Sequence, residues 1–185
     1  MSHINFINRT HELAFLEDRY RSHKSELIIL YGRRRVGKTE LLIRFLKDKQ
    51  GIYILATTES EKTNIGIFAQ EISDFLNDPN FARVSYPSFE ALWTSFLSHH
   101  QVQKIVRIQQ KIPIVIDEFP YLIERDRSVP SQFQRIWDLH MRDSPVMLVL
   151  SGSSISIMEQ EVLGYKSPLY GRRTGQWQVE PLSFL

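Results

Sequence analysis

Two glycines and two polar residues near the start of the chain have the spacing of a phosphate-binding loop. Gly32 and Gly37 are separated by four residues and followed by Lys38 and Thr39. Glycines let backbone amides converge on phosphate oxygens, a lysine ammonium can reach the outer phosphates, and a threonine hydroxyl can bind Mg²⁺. This Gly-x-x-x-x-Gly-Lys-Thr sequence, the Walker A pattern, predicts a site for ATP with magnesium.

The sequence on either side of the loop favours this interpretation. Residues 27–31 form a continuous apolar run, which is typical of a strand buried on both faces of a parallel sheet. From Lys38 onward, apolar residues recur at helical spacing, and the start of a helix offers unpaired amides to an anion. The alternative is a plain turn with a solvated lysine, but the order strand, loop, helix favours a phosphate site.

Three arginines, Arg33, Arg34 and Arg35, occupy the middle of the loop. They could contact the nucleotide, nucleic acid or a neighbouring subunit. A solvated loop face is the simpler interpretation, and the sequence leaves these alternatives open.

Two acidic residues, Asp117 and Glu118, follow the apolar run 112–116. Open α/β sheets bind their ligands at the carboxyl ends of their strands. Asp117 would hold Mg²⁺ together with Thr39, as in a Walker B motif, while Glu118 would polarise the water that attacks the γ-phosphate. A strand can also simply end in solvated acids, but the combination with the glycine loop predicts hydrolysis as well as binding.

Two later segments supply further candidates. Ser151 or Ser153, after the apolar run 146–150, could sense the γ-phosphate, or they could cap the next helix. Arg172 or Arg173 could stabilise charge on the transferred phosphate from a glycine-bounded loop, or both could be solvated. Of the two arginines, Arg172 is the preferred catalytic candidate.

Apolar runs and helical periodicities alternate along the chain. The predicted strands are 27–31, 52–56, 112–116, 146–150 and 176–179, and the predicted helices begin at Lys38 or cover 64–76, a segment after Ser88, 102–108 and 132–141. The alternation predicts one α/β domain over residues 1–185, with helices on both sides of a mainly parallel five-stranded sheet. The last strand is expected near an edge because polar and apolar residues alternate in it.

Composition narrows the class of protein. The 185 residues include no cysteine, so disulfides and thiolate metal sites are excluded. No signal peptide or membrane-spanning run is evident, which predicts a cytoplasmic location without a membrane partner. A net charge of +2 does not decide whether nucleic acid is a partner.

Five segments together resemble the archaeal ATPase family, a branch of the P-loop ATPases related to the AAA+ and STAND groups. These segments are residues 6–13, 31–40, 116–122, 150–154 and 167–173. The resemblance covers nearly the whole chain. Its more particular parts are Tyr-Gly-Arg-Arg-Arg in the loop and Pro-Leu-Tyr-Gly-Arg near the end.

The resemblance implies a P-loop fold with strand order 5-1-4-3-2. It also implies nucleotide contacts throughout the loop, including Val36 and Glu40, and an adenine packed near Phe6 and Arg9. Members of the family continue into a helical lid and a carboxyl-terminal domain. We expect both to be absent from this chain, which would make turnover by the chain alone slow.

The sequence is compatible with three functions. The first is an ATPase core that couples nucleotide state to a partner or to homo-oligomerisation. The second is a nucleotide-dependent module that binds DNA or protein and hydrolyses little. A small-molecule phosphotransferase is the third, whereas a GTPase is disfavoured because the guanine-reading Asn/Thr-Lys-x-Asp sequence is absent.

Overall fold

The computed structural model describes residues 9–182. Phe6, one of the predicted adenine contacts, lies outside this range. Within it, no helix combines the length and apolar character needed to cross a membrane.

The described residues form alternating strands and helices. In chain order these are α1 (Thr10–Arg21), β1 (Glu26–Tyr31), α2 (Lys38–Leu46), β2 (Ile52–Leu55), α3 (Glu61–Leu76), α4 (Pro79–Arg83), α5 (Phe89–Ser98), α6 (His100–Arg107), β3 (Ile112–Asp117), α7 (Phe119–Arg125), α8 (Val129–Ile136), β4 (Val146–Gly152), α9 (Ile155–Ile157) and β5 (Gly175–Gln178). Helices α8 and α9 continue into wider π-helical turns, Trp137–Met141 and Met158–Leu163.

The five strands form one sheet in the order β2-β3-β4-β1-β5, and every neighbouring pair is parallel. Read from the other edge, this is the predicted order 5-1-4-3-2. Every residue of the three central strands is buried, as their continuous apolar runs predict. Strand β5 lies at an edge and has no fully buried residue, which confirms its predicted position.

Helices cover both faces of the sheet and give the fold three layers. Alternate residues of β1 point to opposite sides, so Leu27 and Ile29 belong to one apolar cluster and Ile28 and Leu30 to another. The first cluster includes residues of α3, α5, α7 and α8, and the second includes residues of α1 and α2. Both therefore depend on the same strands.

Helix boundaries differ from the prediction where polar side chains provide caps. Helix α3 begins at Glu61 rather than residue 64, because the Ser60 hydroxyl accepts a hydrogen bond from the Thr63 amide. It ends at Leu76, and the next residue, Asn77, has a left-handed backbone. Helix α7 was not predicted because seven residues are too few to show a helical period.

Candidate functional site

The loop from Gly32 to Gly37 connects β1 with α2 at the carboxyl edge of the sheet. A Cβ added to Gly32 would lie 2.2 Å from the Val179 carbonyl oxygen, so no side chain fits there. Gly37 has a φ of +89°, which glycine adopts without strain, and Arg35 has a φ of +64°. The two glycines thus serve close approach and backbone conformation respectively.

Lys38 is 6% exposed and folds back over its own loop. Its ammonium donates hydrogen bonds of 2.7 Å to the carbonyl oxygens of Gly32 and Arg33. Burial lowers the pKa of Lys38, and the negative charges of Glu118 and Asp117 partly oppose that shift. The predicted phosphate-binding cation is therefore close enough to both predicted acids to feel their charges.

Thr39 and Asp117 come from different segments and touch directly. The Thr39 hydroxyl donates a 2.8 Å hydrogen bond to Oδ2 of Asp117, whose side chain lies at the end of β3. Asp117 is 1% exposed, and its Oδ1 accepts a 3.0 Å hydrogen bond from the Glu118 amide. A hydroxyl keeps its lone pairs when it donates its hydrogen, so Thr39 can still bind a cation beside the carboxylate.

Tyr53 on β2 also contacts the Asp117 carboxylate, although it was not among the predicted site residues. Its hydroxyl donates a 2.7 Å hydrogen bond to the same oxygen, Oδ2, that Thr39 contacts. Burial and the hydrogen bond to Asp117 raise the pKa of Tyr53 well above its usual range, so the phenol is a neutral donor at neutral pH. The apolar residues around Tyr53 in the strand gave no indication of this contact.

Glu118 is held by Ser153, one of the two serines that could sense the γ-phosphate. The Ser153 hydroxyl lies 2.8 Å from both carboxylate oxygens of Glu118. The backbone of Glu118 has a φ of +57°, which is unusual for a residue with a side chain and sharply separates β3 from α7. Ser151, the other serine candidate, is fully buried, and its hydroxyl has no hydrogen-bond partner within residues 9–182.

An open cleft with a volume of about 540 Å³ lies beside the loop and the end of β3. Its lining residues are Arg34, Arg35, Gly37, Lys38, Thr39, Glu40, Glu118, Tyr121 and Ser153. Tyr121, another residue that the sequence analysis missed, accepts a 3.1 Å hydrogen bond from the Arg34 side chain. The cleft thus combines cations suited to phosphate with the predicted base Glu118, and the Asp117 carboxylate adjoins it through Thr39.

Arg9 and Arg172 both contact protein groups and do not line the cleft. Arg9 is buried and donates a 2.6 Å hydrogen bond to the Val36 carbonyl, so it contacts the loop backbone. Arg172 pairs with Asp138 at 3.1 Å and is not among the residues lining the cleft. The nucleotide contact of Arg9 and the catalytic role of Arg172 stay predictions.

The donors fit magnesium better than a metal held by protein side chains alone. Among residues 9–182, no group of three or more His, Cys, Asp or Glu side chains is arranged to hold a metal ion. Mg²⁺ is usually bound through one or two protein oxygens, waters and substrate phosphates. One carboxylate and one hydroxyl beside a phosphate-binding loop match that pattern.

Comparison with known families agrees with this geometry. The sequence profile of a family described as an ATPase domain predominantly from Archaea matches residues 6–185. The chain belongs to this family. It is therefore a P-loop ATPase domain, as the resemblance of its five segments implied.

The relatives of this ATPase domain include two uncharacterised proteins of Methanocaldococcus jannaschii. One is 37% identical over 179 residues, which cover 97% of this chain and 36% of the relative. Another, described as an ATP-binding protein, is 55% identical over 47 residues, covering 25% of this chain and 80% of the relative. The ATPase domain thus spans about a third of the longer relative's length.

Solved structures share the fold of the ATPase domain. A Walker-type ATPase of Pyrococcus abyssi has a TM-score of 0.67 and 21% identity, covering 95% of this chain and 54% of that one. A chain from the Drosophila origin recognition complex bound to DNA has a TM-score of 0.67 and 14% identity, covering 94% and 43%. Cdc6p from Pyrobaculum aerophilum has a TM-score of 0.58 and 20% identity, covering 95% and 46%.

Proposed function

We propose that this ATPase domain binds ATP together with Mg²⁺ and hydrolyses it to ADP and phosphate. The observation that carries the proposal is the 2.8 Å contact between Thr39 and Asp117, beside the Lys38 ammonium. A triphosphate needs a cation for its outer oxygens and a magnesium site next to them. Lys38 and Thr39 at the start of α2 and Asp117 at the end of β3 supply both.

Binding would use the backbone and Lys38. The amides at the start of α2 would donate to phosphate oxygens, and the Lys38 ammonium can exchange its two carbonyl partners for further phosphate oxygens. When bound, Mg²⁺ neutralises charge on the outer phosphates. Thr39 and Asp117 are the residues that would hold it.

Hydrolysis would use Glu118 as a general base. A water oxygen forms a bond to the γ-phosphorus while the bond from that phosphorus to the bridging oxygen breaks, and ADP leaves. The carboxylate of Glu118 orients the water and accepts its proton. Its position in the cleft beside Lys38 supports this role.

Two substitutions test the proposal. We expect Lys38→Ala to abolish ATP binding in calorimetric titrations, and Glu118→Gln to keep ATP affinity while slowing phosphate release by about 100-fold or more. Titrations with GTP, and phosphate-release assays with and without DNA, test nucleotide preference and the DNA partner.

Matched controls come from the same protein. Lys47→Ala and Glu124→Gln change exposed side chains of the same types outside the cleft. Both variants should match the wild type. Unchanged ATP affinity in the Lys38 variant, or unchanged phosphate release in the Glu118 variant, would contradict the proposal.

A second candidate function is a nucleotide-dependent module that binds DNA or protein and hydrolyses little by itself. The specific observation in its favour is that Ser153 engages both carboxylate oxygens of Glu118, which competes with an attacking water for the base. One structural relative was solved bound to DNA, which makes DNA the first partner to test. In the first function, the nucleotide state could instead be coupled to homo-oligomerisation.

Ser153→Ala separates the two functions. If Ser153 restrains the base, basal phosphate release rises in this variant; if Ser153 orients the base for an active ATPase, release falls. Ser154→Ala is the matched control because its hydroxyl lies next in sequence and contacts Ser156 rather than Glu118. Brisk wild-type turnover without any partner would contradict the second function.

A further inference from the structure

We propose that Tyr53 is a positioning residue for the magnesium-binding carboxylate of Asp117. The inference deepens the function proposed above and rests on it, because it assigns a residue outside both nucleotide-binding motifs to the metal site. Tyr53 would act through Asp117, without contacting the nucleotide.

Three hydrogen bonds define the orientation of the Asp117 carboxylate. Oδ2 accepts from the hydroxyls of Thr39 at 2.8 Å and Tyr53 at 2.7 Å. Oδ1 accepts from the Glu118 amide at 3.0 Å. Of the two donors to Oδ2, Thr39 is itself expected to bind the metal, which leaves Tyr53 as the donor dedicated to the carboxylate.

The sheet register explains why a tyrosine is used. Leu55 lies opposite Asp117 across the β2-β3 pair, whereas Tyr53 lies two residues earlier, opposite Val115. Residues two apart on a strand share a face, so Tyr53 and Asp117 are diagonal neighbours on the same side of the sheet. A side chain must therefore extend along that face to reach the carboxylate, and the length of tyrosine suits this.

Packing fixes the direction of the phenol ring. Tyr53 packs against the apolar cluster that contains Leu41, Phe45 and Val115, between the sheet and α2. Helix α2 is also the helix that begins with Lys38 and Thr39. The same packing that seats the phosphate loop therefore holds the phenol against the metal-binding carboxylate.

Loss of the phenol hydroxyl should weaken the metal site specifically. Partners that hydrogen-bond to metal ligands fix the orientation of those ligands, and removing one typically costs about 10- to 100-fold in metal affinity or activity. Asp117 is 1% exposed, so solvent has little access to replace the missing donor. The phosphate contacts proposed for Lys38 and the loop amides would not involve Tyr53.

Tyr53→Phe tests the proposal because it removes one oxygen and keeps the ring. ATP binding is first measured by calorimetry in EDTA. Mg²⁺ is then titrated over a fixed concentration range into protein that contains excess ATP. We expect an unchanged ATP affinity in EDTA and a Mg²⁺ requirement raised about 10-fold or more. Both readouts are binding measurements and do not depend on hydrolysis.

Tyr86→Phe is the matched control. Tyr86 is also partly buried, and its hydroxyl donates a 2.9 Å hydrogen bond to the Phe81 carbonyl, away from the cleft. It should leave both affinities unchanged. Thermal unfolding of both variants without ligand reports whether each one folds.

Three outcomes would overturn the proposal. A Mg²⁺ requirement equal to that of the wild type would show that the hydroxyl does not position Asp117. A loss of ATP affinity in EDTA as large as the loss with Mg²⁺ would show that Tyr53 has a general structural role. If the wild type does not bind ATP at all, the proposed function fails and this inference fails with it, whereas wild-type binding with an unaffected Tyr53→Phe variant removes only the role of Tyr53.

Discussion

Arg9 joins the first helix to the phosphate loop through a single guanidinium group. One nitrogen forms a 2.8 Å ion pair with Glu12, and another donates a 2.6 Å hydrogen bond to the Val36 carbonyl. Both charged side chains are buried, so each depends on the other for compensation. The loop conformation is thereby tied to a charge on α1.

We expect Arg9→Met to lower the free energy of unfolding by roughly 3 kcal/mol, since it leaves the Glu12 carboxylate buried and unpaired. Adding Glu12→Leu should recover much of that loss, because no isolated charge remains. ATP affinity should stay reduced in both variants, since the Val36 carbonyl has lost its donor. Urea denaturation and calorimetry measure the two quantities, and full recovery of ATP affinity in the double variant would contradict a role in holding the loop.

Local sequence patterns predicted the candidate phosphate, magnesium and water-activating residues, and they missed residues whose contacts depend on neighbours in space. Lys38, Thr39, Asp117 and Glu118 follow from local patterns, and the structure brings all four together. The contact of Tyr53 with Asp117 depends on a strand pairing that the residues around position 53 do not encode. Spatial neighbours of this kind become visible only once the sheet order and register are known.

At the scale of elements, the turn from β1 into the loop is constrained by the segment that continues β5. The Val179 amide donates a 2.7 Å hydrogen bond to the Tyr31 carbonyl, and the Val179 carbonyl leaves no room for a side chain at position 32. Gly37, at the other end of the loop, has open space around it and is constrained by its positive φ alone. Crowding therefore explains the glycine at position 32, and backbone conformation explains the glycine at position 37.

Gly37→Ala should cost roughly 1–2 kcal/mol of stability in the absence of nucleotide, the usual penalty for a left-handed backbone with a side chain. Gly32→Ala should cost more, because the Val179 backbone can move away only by disturbing the edge of the sheet. Denaturant unfolding of both variants gives the comparison. A larger loss for Gly37→Ala would show that the close contact at Gly32 relaxes easily.

Glu90 on α5 contacts α8 and the π-helical turn that follows α8. It accepts a 2.8 Å hydrogen bond from Arg135 and lies 3.1 Å from the His140 ring nitrogen. The hydrogen bond with His140, followed by that with Arg135, lowers the pKa of Glu90 below its usual value of 4.5. A lowered pKa in the folded state stabilises the protein above pH 4.5, and that contribution is lost as the pH falls through the folded-state value.

Glu90→Gln should therefore lower stability at pH 7 by about 1 kcal/mol or less, as is usual for a partly exposed pair. The difference from the wild type should shrink as the pH falls below 4.5. Glu124→Gln, on the exposed face of α7, serves as the control and should show no comparable pH-dependent difference. Unfolding midpoints measured from pH 3 to pH 7 test this, and a pH-independent difference would exclude an ionic origin.

Element types were predictable where the apolar pattern was long, and boundaries were less so. Four strands were expected from apolar runs and the fifth from alternating polar and apolar residues, and the strand order came from the family resemblance. The predicted helix 132–141 is α8 from Val129 followed by a π-helical turn, because a local widening of the hydrogen-bond pattern leaves the spacing of apolar residues nearly unchanged. Hydrophobic periodicity gives an element and its buried face, while caps determine its ends.

At the scale of the whole molecule, the two apolar clusters on either side of the sheet and the site share the same strands. Strand β1 contributes alternate side chains to both layers and leads directly into the phosphate loop, and β3 ends at Asp117. Neither layer can be lost without disturbing the strands that position the site. Ligand binding and global unfolding should therefore be coupled.

We expect ATP with Mg²⁺ to raise the thermal unfolding midpoint of the whole domain in a single transition. At a ligand concentration 100 times the dissociation constant, the stabilisation is about 2.7 kcal/mol, or roughly 5–10 °C for a domain of this size. Calorimetric scans should show this shift in the wild type, a smaller one in EDTA, and none in Lys38→Ala, while Lys47→Ala behaves as the wild type. Two separate transitions, only one of which responds to the ligand, would contradict the coupling because the two layers would then unfold independently of each other.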